Sequence, residues 1–186
     1  MTYKRPDHFT RKAKAEGFAA RSVYKLDEIE DRFKVIPRSG TAVDLGCFPG
    51  SWSRWLQQRG LRVVGVDLLA PEFPGEWIVS SVMDVDAAAL MQHGAVDVLV
   101  SDMAPSTTGN RFTDHCRQLE LAERALDLAL AVVRPGGSFV AKVFDGSEAP
   151  AFERRVREGF ANVRRFKPGA TRDRSVEYFI VAADRR

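Results

Sequence analysis

Five short apolar runs between residues 41 and 144 alternate with amphipathic stretches, and this alternation restricts the fold more than any other feature of the chain. TAVDLG (41–46), RVVGVD (62–67), a short run at 77–80, VDVLVSD (96–102) and SFVAKVF (138–144) read as buried strands. Between them fall a helix over 51–58, a short helix over 86–93, and a long helix that follows a loop at 104–113 and runs to about Val133. Leu119, Ala122, Leu126 and Leu130 recur on one face of the long helix. Strands that alternate with helices predict a mostly parallel sheet covered on both faces, a Rossmann-like α/β fold. Upstream, Thr10 to Glu16 has helical character that breaks at Gly17, and Val23, Leu26, Ile29 and Phe33 mark a helix over 20–34 that ends by Pro37 and Gly40. Downstream, a turn at 134–137, a helix near 150–158 and strands near 161–167 and 176–182 complete the pattern. The last two strands are joined too closely for a helical crossover, so they should pair antiparallel as a hairpin at one edge of a seven-stranded sheet. At 186 residues the chain is one domain's worth, expected to run over 1–186 with a basic extension at about 1–19.

Several classes fall away. Cys47 and Cys116 cannot build a disulfide framework, and with only His8, His93 and His115 they offer no metal site. The apolar runs are shorter than a membrane span, and the basic N-terminus lacks the apolar stretch of a signal peptide, so a cytoplasmic, membrane-free, monomeric protein is expected. The net charge is only +3, but it is unevenly distributed. Residues 1–25 and 151–186 each carry +5, and the stretch between carries −7. The basic ends contain Lys4, Arg5, Arg11, Lys12, Lys14 and Arg21 in one group, and Arg154, Arg155, Arg157, Arg164, Arg165, Lys167, Arg172 and Arg174 in the other. Such groups are commonly only a solvated surface. Here their segregation points to phosphate contacts, and the scarcity of interleaved aromatics favours backbone and shape recognition.

In open α/β sheets, ligands bind at the C-terminal ends of the strands near the switch point, which selects residues 46–52, 67, 84, 102 and 142–145. Asp44 to Gly50 is a strand running into a glycine-containing turn at a helix start, with Gly46 and Gly50 allowing close backbone approach. The spacing is not that of the dinucleotide fingerprint. Asp67, at the end of the second strand, is placed to accept hydrogen bonds from ribose hydroxyls. A turn and an acid without pyrophosphate glycines suit a nucleoside bearing a carboxylate, and S-adenosylmethionine fits; a plain strand-to-helix turn is the alternative. Trp52 could wall that pocket or pack in the core. Asp84 could bond an adenine amino group or cap the next helix.

Four charged residues resist explanation by packing. Lys142 stands in an otherwise buried strand, and lysine is rarely buried unless paired. Asp102 ends the neighbouring strand, Lys25 lies in the first long helix, and Glu177 interrupts the last strand. The simpler alternatives are a snorkelling lysine, a turn aspartate, a solvated helix lysine and an edge-strand charge.

Taken with Arg21-Ser22-Val23-Tyr24-Lys25-Leu26, Asp44-Leu45-Gly46, Pro49-Gly50, Trp52-Ser53, Ser101-Asp102-Met103-Ala104-Pro105, Pro135-Gly136-Gly137 and Lys142-Val143-Phe144, the pattern resembles the FtsJ/RrmJ-like 2′-O-ribose RNA methyltransferases over nearly the whole chain. The resemblance implies a class I S-adenosylmethionine-dependent fold. It implies a catalytic Lys-Asp-Lys-Glu tetrad at Lys25, Asp102, Lys142 and Glu177, and cofactor contacts at Gly50, Trp52, Asp67, Asp84 and Asp102, to which the reading of the turn adds Gly46. Cys47-Phe48 and Ser51 depart from the small residues and second glycine common in the family. Lys142 would act as base or, if charged, orient the hydroxyl and stabilise the developing alkoxide. The substrate implied is a uridine of 23S ribosomal RNA in the 50S subunit; alternatives are transfer-RNA 2′-O-methylation and a non-catalytic RNA-binding assembly factor.

Overall fold

A computed structural model describes residues 8–106, 108–172 and 175–186, with the side chain of Arg111 excepted. The strands are β1 (Gly40–Leu45), β2 (Leu61–Asp67), β3 (Glu76–Val79), β4 (Val96–Ser101), β5 (Val133–Phe144), β6 (Phe160–Phe166) and β7 (Glu177–Arg185). They form one sheet in the order β3-β2-β1-β4-β5-β7-β6. β1 to β5 run parallel, and β7 is antiparallel to both β5 and β6. The expected antiparallel pair is therefore present, with β6 as the edge strand and β7 inside the sheet. The strand order reverses between β1 and β4, so the switch point lies at the ends of these two strands.

The period-2 alternation of the strands sorts the helices. Ala42, Val63, Val98, Val100, Val140, Phe179 and Val181 face α1 (His8–Ala15), α2 (Val23–Phe33) and α3 (Ser51–Gln58). Val43, Leu45, Leu99, Phe139, Ala141 and Ile180 face α4 (Ala87–Met91), α5 (Arg111–Val132) and α6 (Ala149–Gly159). Because a strand buried on both faces has no polar side, these strands read as continuous apolar runs.

Three local differences from the sequence reading have physical causes. α2 starts at Val23, because the segment before it is tied to α3 instead of continuing a helix: the Ala20 N–H donates to Ser51 Oγ at 2.7 Å, and Trp52 Nε1 donates to the Ser22 carbonyl at 2.8 Å. The expected turn at 134–137 lies inside β5, where the register against β4 shifts between Val96 and Val98 and Gly136 takes φ +77°. β4 stops at Ser101, which leaves Asp102 free of the ladder.

Candidate active site

The sheet alternation explains how four charged side chains meet. On the α2/α3 face, Val98 and Val100 lead to Asp102, Val140 leads to Lys142, and Val181 and Phe179 lead back to Glu177. Each charged residue thus extends an apolar column past the place where the core ends. Lys142 pairs in register with Phe179, and Phe144 with Glu177, so the lysine and the glutamate share one face of adjacent strands. Lys25 joins them from α2, one helical turn before the buried Ile29.

The resulting cluster is compact. Lys142 Nζ lies 3.1 Å from Asp102 Oδ1 and donates to the Asp102 carbonyl at 2.7 Å. Lys25 Nζ lies 2.6 Å from Glu177 Oε1 and 3.5 Å from Asp102 Oδ1. Lys25 is 8% exposed and Lys142 is 6% exposed, so neither is the snorkelling or solvated lysine of the simpler reading. Burial pushes the Glu177 carboxyl up, but the Lys25 charge beside it, aided by Lys142, more than offsets this and holds it below the usual glutamate value. All four tetrad residues are brought together.

The expected cofactor residues divide. Gly46, Asp67 and Asp102 line one cavity of about 290 Å³, with Phe48, Val66, Leu68, Ser80, Ser81, Val82, Met103, Ala104 and Leu121 completing its walls. Gly46 takes φ +77°, and a Cβ there would run into the Met103 side chain, so any other residue would be both strained and obstructed. Asp67 is oriented by backbone donors, Phe48 N–H at 2.9 Å and Leu68 N–H at 2.7 Å. Gly50, Trp52 and Asp84 are not among the residues lining this cavity. Gly50 packs against Phe73 and Pro71. Trp52 is buried beneath the tetrad, its ring 5.8 Å from that of Phe179. Asp84 is exposed, and the capping role considered for it belongs to Asp86, whose side chain accepts from Ala88 N–H at 3.0 Å.

Asp44 is the acid that sequence reasoning left without a role. It is fully buried, accepts a 2.6 Å hydrogen bond from Ser53 Oγ, and has its pKa pushed up to about 7. Burial is the main cause, reinforced by Asp102 and Asp67 and opposed by the Ser53 bond. A carboxyl raised on folding holds its proton more tightly in the native state, so its ionisation opposes folding as pH rises. On this account, stability falls by on the order of 4 kcal/mol between pH 4 and pH 8. The thermal midpoint should therefore drop across this range, and Asp44→Asn should flatten the drop. An equal slope in the variant would reject the assignment.

A second cavity, of about 460 Å³, opens on the other side of the tetrad and is lined by Ala20, Arg21, Ser22, Lys25, Arg172, Ser175 and Glu177. Here the two basic ends of the chain meet. Arg21 donates to the Ala170 carbonyl at 2.9 Å, and Glu28 accepts from the N–H groups of Gly169 and Ala170 at 2.6 and 2.9 Å. Others of the basic residues have acidic partners within the chain: Arg155 pairs with Glu123 and Asp127, Arg157 with Glu153, and Arg165 with Asp145 and Glu153. Lys4, Arg5 and Arg174 lie outside the described residues.

Two supporting residues were not foreseen. The buried amide of Gln118 in α5 donates to the Lys142 carbonyl at 3.0 Å and holds the strand that carries the lysine. Phe179 lies under Lys25, its ring centroid 5.5 Å from Nζ. The Phe179 column was readable as strand alternation, but the Gln118 bond spans 24 residues and leaves no local mark.

The FtsJ-like methyltransferase family model matches residues 18–185. The chain is 42% identical to the ribosomal RNA large subunit methyltransferase E of Desulfosudis oleivorans, over 98% of this chain and 92% of that protein. It is 40% identical to the protein of the same name from Bdellovibrio bacteriovorus, over the full length of both. A crystal structure of a Plasmodium falciparum protein described as a ribosomal RNA methyltransferase superposes with a TM-score of 0.78 at 21% identity, covering 90% of this chain and 98% of that one, which shows a shared fold.

Proposed function

The chain belongs to the FtsJ-like methyltransferase family, and from that premise we propose that it methylates the 2′-hydroxyl of a ribose in RNA, using S-adenosylmethionine, with large-subunit ribosomal RNA as the substrate. One observation carries the reading: the Lys25–Asp102–Lys142–Glu177 cluster stands between two cavities of different character. Asp102 lines the cavity with acidic and apolar walls, and Lys25 and Glu177 line the cavity with arginines.

The first cavity fits a sulfonium nucleoside. Asp67 presents a fixed carboxylate suited to ribose hydroxyls, Leu68, Val82, Met103 and Leu121 offer apolar surface to a purine, and the Asp102 carboxylate favours a positive centre. When bound there, S-adenosylmethionine supplies an activated methyl group. The second cavity, with Arg21 and Arg172, suits the phosphates on either side of the target ribose. α1 and the basic residues around it extend this surface, and the chain works as one catalytic domain.

The remaining task is alignment and handling of one proton. Lys142 Nζ donates to the Asp102 carbonyl and is held in ion-pair contact with Asp102 Oδ1. From that place the lysine takes the hydroxyl proton of the 2′-oxygen or steadies the alkoxide as it forms. Lys25 and Glu177 hold the ribose against this group, and Gln118 fixes the backbone beneath it.

The test is transfer of a radiolabelled methyl group to 50S particles, free ribosomal RNA and transfer RNA, with the modified nucleotide mapped. Labelling of 50S particles or ribosomal RNA at a 2′-oxygen is expected. Labelling of transfer RNA alone would replace the substrate, and labelling on a base would reject the tetrad chemistry.

A further inference from the structure

The segment 17–22 has cavities along two of its stretches. Residues 20–22 border the arginine-lined cavity beside the tetrad. Residues 17–19 border a separate cavity of about 290 Å³, whose other walls include Lys14, Arg54, Gly50 and Phe73. α3 holds the segment at three points: Ser51 Oγ to Ala20 N–H at 2.7 Å, Trp52 Nε1 to the Ser22 carbonyl at 2.8 Å, and Arg54 Nη1 to the Gly17 carbonyl at 2.9 Å. The two cavities are therefore joined by a strip whose shape is already fixed.

The lining of this second notch is selective. Phe18 and Phe73 are both half-buried, Lys14 and Arg54 are exposed, and among the described residues no acidic one lines it. Phe73 stands edge-on to Trp77 at 5.2 Å and packs where the absent Gly50 side chain leaves room. By contrast, the apolar cavity beside α5 is bordered by Glu120, Glu123 and Asp127, which would repel a polyanion. Aromatic surface beside two cations, with no carboxylate, matches an unpaired nucleotide: a base has a π-face to stack, and its phosphate needs a positive charge.

We propose that this notch binds the base of an unpaired nucleotide adjoining the target ribose, with Phe18 and Phe73 stacking the base and Lys14 and Arg54 holding its phosphate. The proposal rests on the RNA methyltransferase reading and adds a second anchoring point on the RNA strand. It gives Phe18 and Phe73 a function beyond packing, and it sets Gly50 beside the RNA strand.

The Trp77 indole offers a readout that needs no turnover, because its Nε1–H donates to the Phe73 carbonyl at 3.1 Å. The full chain, labelled with ¹⁵N, is titrated with a single-stranded hexauridylate and with an abasic hexamer of equal charge. Hexauridylate should shift the Trp77 indole signal, and the abasic strand should leave it in place. Phe18→Ala should weaken hexauridylate about tenfold, the size of one lost base stack, and Phe18→Trp should restore it. Phe18→Leu keeps the apolar contact with the core and should weaken binding as the alanine does. Lys14→Gln should lower the salt dependence by about one counterion. Equal shifts with both strands, or no shift with either, would overturn the proposal. Methyl transfer to ribosomal particles is measured on the same samples. Transfer without a shift removes the notch and leaves the enzyme, whereas a shift without transfer keeps the notch as an RNA site and removes the enzyme.

Discussion

Lys142→Ala should lose methyl transfer by roughly a thousandfold or more while retaining S-adenosylmethionine binding. The two effects separate because Lys142 does not border the cavity of Asp67 and Gly46, yet its ammonium nitrogen is fixed to both the carboxylate and the carbonyl of Asp102. Lys142→Met should behave in the same way and fills the space better, which separates loss of the amine from loss of packing. Lys142→Arg should not rescue, because a broad planar guanidinium cannot occupy the buried place of a compact ammonium set against the carbonyl and carboxylate of one residue. Calorimetric titration with the cofactor and single-turnover transfer to ribosomal particles decide the matter. Near-normal turnover of the alanine variant would remove Lys142 from the chemistry. Loss of cofactor affinity in all three variants would place its role in binding instead.

The strands of this protein could be read from the sequence because a sheet covered on both faces leaves an apolar run with little polar interruption. The interruptions are the informative positions: Lys142 and Glu177 stand where an apolar residue is due, and Asp102 stands just past its strand. Spacing alone could not bring Lys25 to them, since that depends on how α2 lies across the sheet. Register also had to be seen to put Lys142 and Glu177 on the same face. What escaped the sequence was held by contacts distant along the chain. Gln118 under Lys142 and the bonds from α3 to 17–22 each join segments whose separation carries no period. The resemblance implies cofactor contacts at Gly50 and Trp52; neither lines the cavity of Asp67, Gly50 packing against Phe73 and Trp52 lying beneath the tetrad against Phe179. A sequence position gives the neighbourhood of a side chain, and only the packing gives the cavity it lines.

Glu177→Leu should destabilise the protein by on the order of 3 kcal/mol, and adding Lys25→Met should return most of that stability without returning activity. Among the described residues, the single variant leaves the buried Lys25 ammonium with only the more distant Asp102 carboxylate, 3.5 Å away, in place of the 2.6 Å contact. The double variant removes both charges, and the new side chains can join Phe179 and Trp52, which already form an apolar floor there. A buried ion pair is a weak stabiliser compared with apolar groups of similar size, so recovery is the expected sign. The contrast should also depend on pH. Because the Glu177 carboxyl is held below its usual value, the wild-type pair contributes above the ordinary glutamate range, and its contribution is lost as pH falls through the native value. The stability gap between wild type and Glu177→Leu should therefore narrow in acid. Denaturant unfolding of the four proteins of this cycle, at neutral and acid pH, measures both effects. A double variant as unstable as the single one would mean that the pair is held for stability. Recovery of stability in an inactive enzyme would mean that the cluster persists, at a cost to folding, because methyl transfer needs its charges.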